Sequence, residues 1–264
     1  MKKSLSLFVI TSLIVLMGVV SSATAGDVLK LSASSQAQEA FGREISKAFK
    51  QKSGITIKSH IFSSPKCIDR LRNGVADMAA STIPLSTADK ESGLIEIPIC
   101  RDPLVIIVNP ECGVKNITLR QARRLFSGHI KNWKEIGGAD LPILRIIPDE
   151  NTGAYKNFKR LVMGTFEPAG DLVATKSFTA VVGVKSIPGS IAFISNGIAL
   201  QFSNINILTI AGVSSSEPAY PFHQEFAMVI KGKPTPLIKE VIKFLTCDAA
   251  RSIMKKRGME PILK

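Results

Sequence analysis

The sequence predicts an α/β protein with mixed sheets flanked by helices. Two observations indicate this class. Short apolar runs with strand character alternate with amphipathic helical segments, an order that favours helices packed against a sheet. One run, 104–108, is apolar throughout and lies between Pro103 and Pro110, which is typical of a strand covered on both faces.

Each element is predicted from a local pattern. The first helix carries its apolar side chains on one face, and Ser53-Gly54 ends it. Thr118 and Gln121 have the spacing of a capping box at a later helix, and the last helical segment is expected to break near Cys247. The predicted strands are 28–31, 55–61, 75–81 and 104–108, and the predicted helices are 36–51, 65–73, 118–127, 154–163 and 234–257.

The first 25 residues have the pattern of a cleavable export signal. Lys2 and Lys3 precede an apolar stretch over 4–20, and Ala23-Thr24-Ala25 is a small-residue cleavage site. An uncleaved membrane anchor is the alternative reading of this segment. Cleavage predicts an exported, periplasmic protein.

Composition excludes several classes of protein. The chain has 264 residues, of which 45% are apolar, enough for a large core or two lobes. Its four cysteines are too few for a disulfide scaffold, and their pairing stays open. Because the sequence contains no hydrolase, metalloprotease or phosphate-loop motif and no Cys/His cluster, we expect neither an enzyme nor a metal or cofactor. The net charge of +13 suits either steering of an anion or contact with an anionic membrane, and nucleic acid is not an expected partner.

Clusters of hydroxyl and amide side chains follow the predicted strands at the points where helices begin. Helix N-termini offer unpaired N–H groups and a positive dipole end, so several converging starts form an anion site. Capping of the helices alone is the alternative explanation for each cluster. The clusters are Ser32 to Ser35, Ser63-Ser64, Asn151-Thr152-Gly153 and, after a further strand, Ser81-Thr82.

The chain from about Leu29 onward resembles the extracytoplasmic phosphate-binding proteins of ABC transporters, which have the type II periplasmic-binding-protein fold. The most specific stretch is 103–138, PLVIIVNPECGVKNITLRQARRLFSGHIKNWKEIGG. Further similar segments are GVADMAASTIPL at 74–85, PDENTGAYKNF at 148–158, IPGSIAFIS at 187–195, YPFHQEFAMVIKGKP at 220–234 and RGMEPI at 257–262.

The resemblance implies two lobes joined by a two-strand hinge, one over 26–103 plus 222–264 and the other over 104–221. A small inorganic anion would lie in the cleft, and an inner-membrane ABC permease would read the closed, monomeric form. The resemblance also implies a ligand set, which comprises Ser34, Ser35, Gln36, Ser63, Ser64, Ser81, Thr82, Asn151, Thr152, Gly153 and Ala154.

The sequence departs from the family pattern at both charged positions. Thr82 stands where the family has the Asp that accepts the oxyanion's proton, and Pro148 stands where it has an Arg. With Thr82 in place, we expect discrimination against sulfate to fall. The function expected is therefore binding of phosphate or a related oxyanion, and the alternative is an orphan sensor or interaction protein that has lost high-affinity binding. The candidates for a substitute cation are Lys66, Arg101 and Arg145.

Overall fold

The computed structural model describes residues 27–262, and the predicted export signal at 1–25 lies outside them. Every strand predicted within the described range is present. The strands are β1 (Val28–Ser34), β2 (Thr56–Phe62), β3 (Met78–Ser81), β4 (Leu94–Val108), β5 (Asn116–Ile117), β6 (Leu144–Pro148), β7 (Leu172–Ala174), β8 (Ser190–Ser195), β9 (Asn206–Ile207), β10 (Thr209–Ile210), β11 (His223–Lys231) and β12 (Glu260–Pro261).

The helices begin and end close to the predicted positions. At one of them Thr118 Oγ1 accepts from the N–H of Gln121 at 3.1 Å and Gln121 Oε1 accepts from the N–H of Thr118 at 2.8 Å, which confirms the capping box. Cys247 separates the last two helices, as predicted. The helices are α1 (Ser35–Ala37), α2 (Arg43–Ser53), α3 (Ser64–Arg72), α4 (Thr87–Glu91), α5 (Leu119–Phe126), α6 (Gly153–Phe158), α7 (Ser177–Ser186), α8 (Asn196–Ala199), α9 (Pro236–Leu245) and α10 (Asp248–Lys256).

Two of the predicted helices contain a wider, π-helical turn. Gln38–Gly42 joins α1 to α2, and Lys159–Met163 continues α6. The helical direction is kept through both, so the apolar face of the first helix remains on the core side. Its buried side chains are Ala37, Ala40, Phe41, Ile45 and Phe49.

The main sheet is mixed, as predicted, with the strand order β2-β1-β3-β11-β4-β8-β6-β7. In one half β1 pairs in parallel with β2 and β3, and in the other half β6 pairs in parallel with β7 and β8. Neighbouring parallel strands end at the same edge of a sheet. The loops after β1 and β2 therefore lie together, as do those after β6 and β7.

Strand β4 connects the two halves of the sheet. Its residues 94–103 pair with β11, and its residues 104–108 pair with β8. The sequence predicted only the second part, because Pro98 and Pro103 lack the N–H that a ladder uses. In that first part the pairing register shifts between Phe226 and Ala227 of β11. Phe226 lies opposite Cys100 and Ala227 lies opposite Pro98, so Ile99 of β4 has no partner residue on β11.

The core is continuous under both halves of the sheet. Phe158 and Phe193 stack with their ring centroids 3.7 Å apart, and Phe126 meets Phe158 edge-on. All four cysteines are unpaired. Across residues 27–262 the structure contains no helix that is long and apolar enough to cross a membrane.

Candidate functional site

A small cleft of about 320 Å³, including its open mouth, lies where the loops from the two halves of the sheet meet. Most of the predicted site residues border it. The lining residues are Ser34, Ser35, Gln36, Ser63, Ser64, Pro148, Thr152, Gly153, Ala154, Ala174, Thr175, Lys176 and Ser177.

The lining groups are helix starts that follow strand ends. Ser34, at the end of β1, accepts a hydrogen bond on Oγ from the N–H of Ala37 at 3.2 Å and so caps α1. Ser63 precedes α3, and Thr152 precedes α6. Lys176 precedes α7 with an extended backbone. Because helix starts present unpaired N–H groups, these loops concentrate donors around one cavity.

The hydroxyl groups around the cleft differ in how they are engaged. Thr152 donates its hydroxyl proton to the carbonyl of Asp149 at 2.6 Å and accepts from the N–H of Tyr155 at 3.2 Å. The hydroxyls of Ser35 and Ser63 have no hydrogen-bond partner within residues 27–262, and both side chains are half-buried. The two serines are therefore free to donate to a bound molecule, whereas Thr152 holds its own loop in shape.

Three of the predicted site residues do not border the cleft. Ser81 uses its hydroxyl in a turn, donating to the carbonyl of Ile83 at 2.8 Å. Asn151 is exposed beside the loop. Thr82 lies behind the cleft, with its Oγ1 3.2 Å from Ser64 Oγ. At this point Thr82 meets the start of α6, since a Cβ on Gly153 would lie 2.2 Å from Thr82 Oγ1.

A buried chain of amide side chains connects the cleft to the middle of the sheet. Gln36 donates from Nε2 to Gln224 Oε1 at 3.1 Å, and Gln224 donates from Nε2 to Asp102 Oδ2 at 3.0 Å. Asn157 donates from Nδ2 to the same Gln224 Oε1 at 3.1 Å. Residues 36 and 224 are 188 positions apart, so no local pattern in the sequence could have revealed this contact.

Asp102 is the ionisable member of this chain. Burial raises the pKa of its carboxyl group to about 6, although the Ser195 and Gln224 side chains and the Gly197 backbone N–H favour the charged form. Gly197 donates to Asp102 Oδ1 at 3.0 Å. The carboxyl group lies where β4 passes from one half of the sheet to the other, and it does not border the cleft.

Lys176 is the only cationic side chain among the described residues that line the cleft, and no sequence pattern predicted it as a site residue. It is exposed at the mouth of the cleft, where Thr175-Lys176-Ser177 repeats the pattern of a polar cluster between a strand and a helix. The three cations predicted from the sequence do not border the cleft. Arg145 pairs with Asp171 at 2.9 Å, Arg101 approaches Glu225 at 3.5 Å, and Lys66 is exposed.

The Glu39 carboxylate, in the π-helical turn between α1 and α2, approaches the start of α7. Burial raises the pKa of Glu39, while the backbone N–H of Phe178 and the charge of Lys176 oppose that rise. Glu39 itself does not line the cleft. Within the part of the chain that the structure describes, the cleft is therefore bordered by hydroxyl groups, backbone amides and one ammonium group, with no carboxylate among its lining residues. This arrangement is suited to an anion.

Comparison with known proteins places the chain among binding proteins. A family model described as a PBP superfamily domain matches residues 18–249. The phosphate-binding protein PstS of Bacillus subtilis is 30% identical over 161 residues, which are 59% of this chain and 53% of that protein. The PstS of Borreliella burgdorferi is 28% identical over 207 residues, 72% of this chain and 74% of that protein. The present chain thus aligns with about half the length of the Bacillus subtilis relative.

Solved structures show the same fold. A putative phosphate ABC transporter substrate-binding protein from Clostridium perfringens, solved with bound phosphate, matches with a TM-score of 0.81 at 23% identity, over 89% of this chain and all of that one (100%). An ABC-type phosphate transport receptor from Vibrio cholerae matches with a TM-score of 0.71 at 22% identity, over 89% of this chain and 100% of that one.

Proposed function

The chain belongs to the PBP superfamily and has its type II fold, and on that premise we propose that it is the extracytoplasmic solute-binding protein of an ABC transporter, with a phosphate-like oxyanion as its ligand. The two relatives and the two solved structures described above are named as phosphate-binding or transport-receptor proteins, and none of these four is named as an enzyme. In this proposal the ligand is delivered to a permease of the inner membrane, and the protein acts as an exported monomer.

The single observation that carries the ligand class is the composition of the cleft. The cleft is surrounded by helix starts, by Lys176 and by hydroxyl groups that have no other partner among residues 27–262. Its described lining contains no carboxylate. Donors arranged in this way stabilise negative charge at the place where it is bound. A neutral, apolar ligand would leave those donors unpaired, at a cost in binding free energy.

The proposed lobes are 26–103 with 222–264, and 104–221. The change of partner along β4, from β11 to β8 between Pro103 and Leu104, supports a boundary there. The cleft takes one wall from residues 34–64 and the other from residues 148–177, which agrees with a ligand held between the lobes. In this proposal the contact of Gly153 with Thr82 belongs to the closed form.

A direct test is titration calorimetry of protein purified after export from the full-length chain, with phosphate, sulfate, molybdate and nitrate. We expect heat of binding with tetrahedral oxyanions and none with neutral sugars or amino acids. Absence of binding to every anion would reject the transport role and leave the alternative, a sensor or interaction protein that has lost its ligand. That alternative draws support from Thr82 and Pro148, which the resemblance aligns with the charged positions of the family pattern.

A further inference from the structure

Gln36, whose side chain lines the cleft, carries a buried hydrogen-bond acceptor that has no partner among the described residues. Its side chain is buried, with 3% of its surface exposed, and it lines the cavity. Its Nε2 group donates to Gln224, but its Oε1 has no hydrogen-bond partner among the described residues. A buried amide oxygen without a donor costs free energy, so a molecule that brings a donor to this oxygen gains from the contact.

The orientation of the Gln36 amide follows from its neighbours. The carbonyl oxygen of Thr82 can only accept, so Asn157 must present Nδ2 to it, and the two atoms are 2.5 Å apart. The same Nδ2 donates to Gln224 Oε1, and Gln224 Oε1 in turn requires a donor from Gln36. The nitrogen of Gln36 is thereby committed to Gln224.

The other end of the chain fixes the same orientation. Gln224 Nε2 faces Asp102 Oδ2 at 3.0 Å, and a carboxylate oxygen needs a donor there. Arg160 donates to Asn157 Oδ1 at 3.2 Å, which again leaves Nδ2 as the group that faces Thr82. An exchange of N and O at Gln36 would place two acceptors against each other at Gln224.

We infer that Gln36 Oε1 accepts a proton-bearing group of the ligand, so that the cleft selects oxyanions that carry a proton over those that are fully ionised. The inference rests on the proposed function, since it takes the ligand to be an oxyanion. It assigns recognition of the ligand's proton to a neutral amide in α1, the short helix that follows β1. Gln36 would thereby offset the fall in discrimination against sulfate that is expected from Thr82 alone.

The selection has a simple physical basis. Hydrogen phosphate and arsenate supply an O–H for Gln36 Oε1 and accept from the serine hydroxyls and Lys176 with their other oxygens. Sulfate and molybdate, fully ionised at neutral pH, satisfy the same donors but place a negatively charged oxygen next to the amide oxygen. One unpaired buried acceptor corresponds to a preference of about 5- to 100-fold.

The test compares these two pairs of anions by titration calorimetry on the wild type and on Gln36→Met, a substitution close in size that removes the acceptor. Gln224 Oε1 keeps its donor from Asn157 in this variant. We expect phosphate and arsenate to bind about 5- to 100-fold more weakly, and sulfate and molybdate to bind as before or more tightly. Gln36→Leu replaces this variant if its thermal unfolding shows that it does not fold.

The matched control is Ser63→Ala, which removes a donor from the same cleft. We expect this control to weaken both pairs of anions by a similar factor. Wild-type protein that binds both pairs equally well, or a Gln36→Met variant in which all four anions weaken by one factor, overturns the inference and leaves the proposed function standing. Failure of the wild type to bind any of the four overturns the proposed function itself.

Discussion

Gly153 lies directly against Thr82, so closely that a Cβ at position 153 would be 2.2 Å from Thr82 Oγ1 and 2.9 Å from Ser64 Oγ. Gly153 begins α6, and Thr82 follows β3, so the contact joins the two halves of the main sheet. The backbone of Gly153 does not have a positive φ. Lack of space, and not conformational freedom, therefore explains the glycine.

We expect Gly153→Ala to weaken binding of the preferred anion by about 5- to 100-fold, because overpacking at a buried contact costs about 1–3 kcal/mol. Thr82 is short and buried, with 1% of its surface exposed, so its side chain has little room to move aside. Titration calorimetry measures the loss, and small-angle scattering with and without anion measures whether the protein still closes.

The double variant Gly153→Ala, Thr82→Ala is the control, because it removes the Oγ1 that the new methyl group would strike. We expect it to recover much of the lost affinity. Equal affinities for the wild type and Gly153→Ala would show that the contact between residues 82 and 153 is not needed for binding.

Lys176 is expected to contribute to affinity through its charge. Replacing Lys176 with Met should weaken anion binding roughly fivefold at low salt, corresponding to about 1 kcal/mol for an exposed charge, and less at high salt because ions screen it. The matched control is Lys185→Met, an exposed lysine at the other end of α7 that does not line the cleft. Equal effects of the two substitutions would indicate general attraction of the basic protein for anions.

The parts of the site that the sequence predicted are those with a local pattern. Ser34, Ser63 and Thr152 are the residues that precede helices after strands, and capping preferences locate such positions without knowledge of the fold. The four strands and five helices that the sequence predicted were located from local patterns of the same kind, whereas strands β5 to β12 were not predicted. The resemblance to a known family added the arrangement of the two halves, which local patterns do not determine.

The parts that the sequence did not predict depend on distant contacts or on weak patterns. Helix α7 was missed because Phe178 and Val182 are exposed while Val181 and Val184 are buried, so no clear apolar stripe marks it. Lys176 was missed together with that helix. The pairing of Gln36 with Gln224, and of Asn157 with the carbonyl of Thr82, joins residues that only the folded sheet brings together.

The hydroxyls of Ser63 and Thr152 are expected to act differently although both border the cleft. Thr152→Ala removes the cap of α6 and should lower stability by about 1 kcal/mol, a fall of about 2–4 °C in Tm. Ser63→Ala removes no hydrogen bond to a helix N–H, because Ser63 makes no side-chain cap bond, so Tm should stay constant while anion affinity falls about two- to tenfold. Thermal unfolding and calorimetry together separate the two effects, and a fall in Tm for Ser63→Ala would contradict the assignment.

Asp102 should make stability depend on pH in a direction opposite to that of most carboxylates. Its folded pKa is raised from 3.8 to about 6 by burial, so between these values the folded protein holds a proton that the unfolded chain has released. The stability that this proton supplies is fully present below about pH 4 and is lost as the pH rises through about 6. A shift of about two units corresponds to roughly 3 kcal/mol.

The variant Asp102→Asn, which cannot ionise, isolates this contribution. Other carboxylates contribute in both senses, since hydrogen bonds from Ser86 and Arg72 hold the pKa of Asp89 low against its burial, whereas burial raises the pKa of Glu39. The difference between wild type and variant cancels these contributions. The free energy of unfolding by urea is measured for both proteins from pH 4 to pH 8. As the pH rises, the wild type should lose stability relative to the variant. The substituted amide turns its NH₂ group toward a donor, either Gln224 Nε2 or the N–H of Gly197, so the variant is also expected to be less stable at every pH. Parallel pH curves for the two proteins would mean that Asp102 keeps its ordinary pKa, and that the buried amide chain solvates its charge fully.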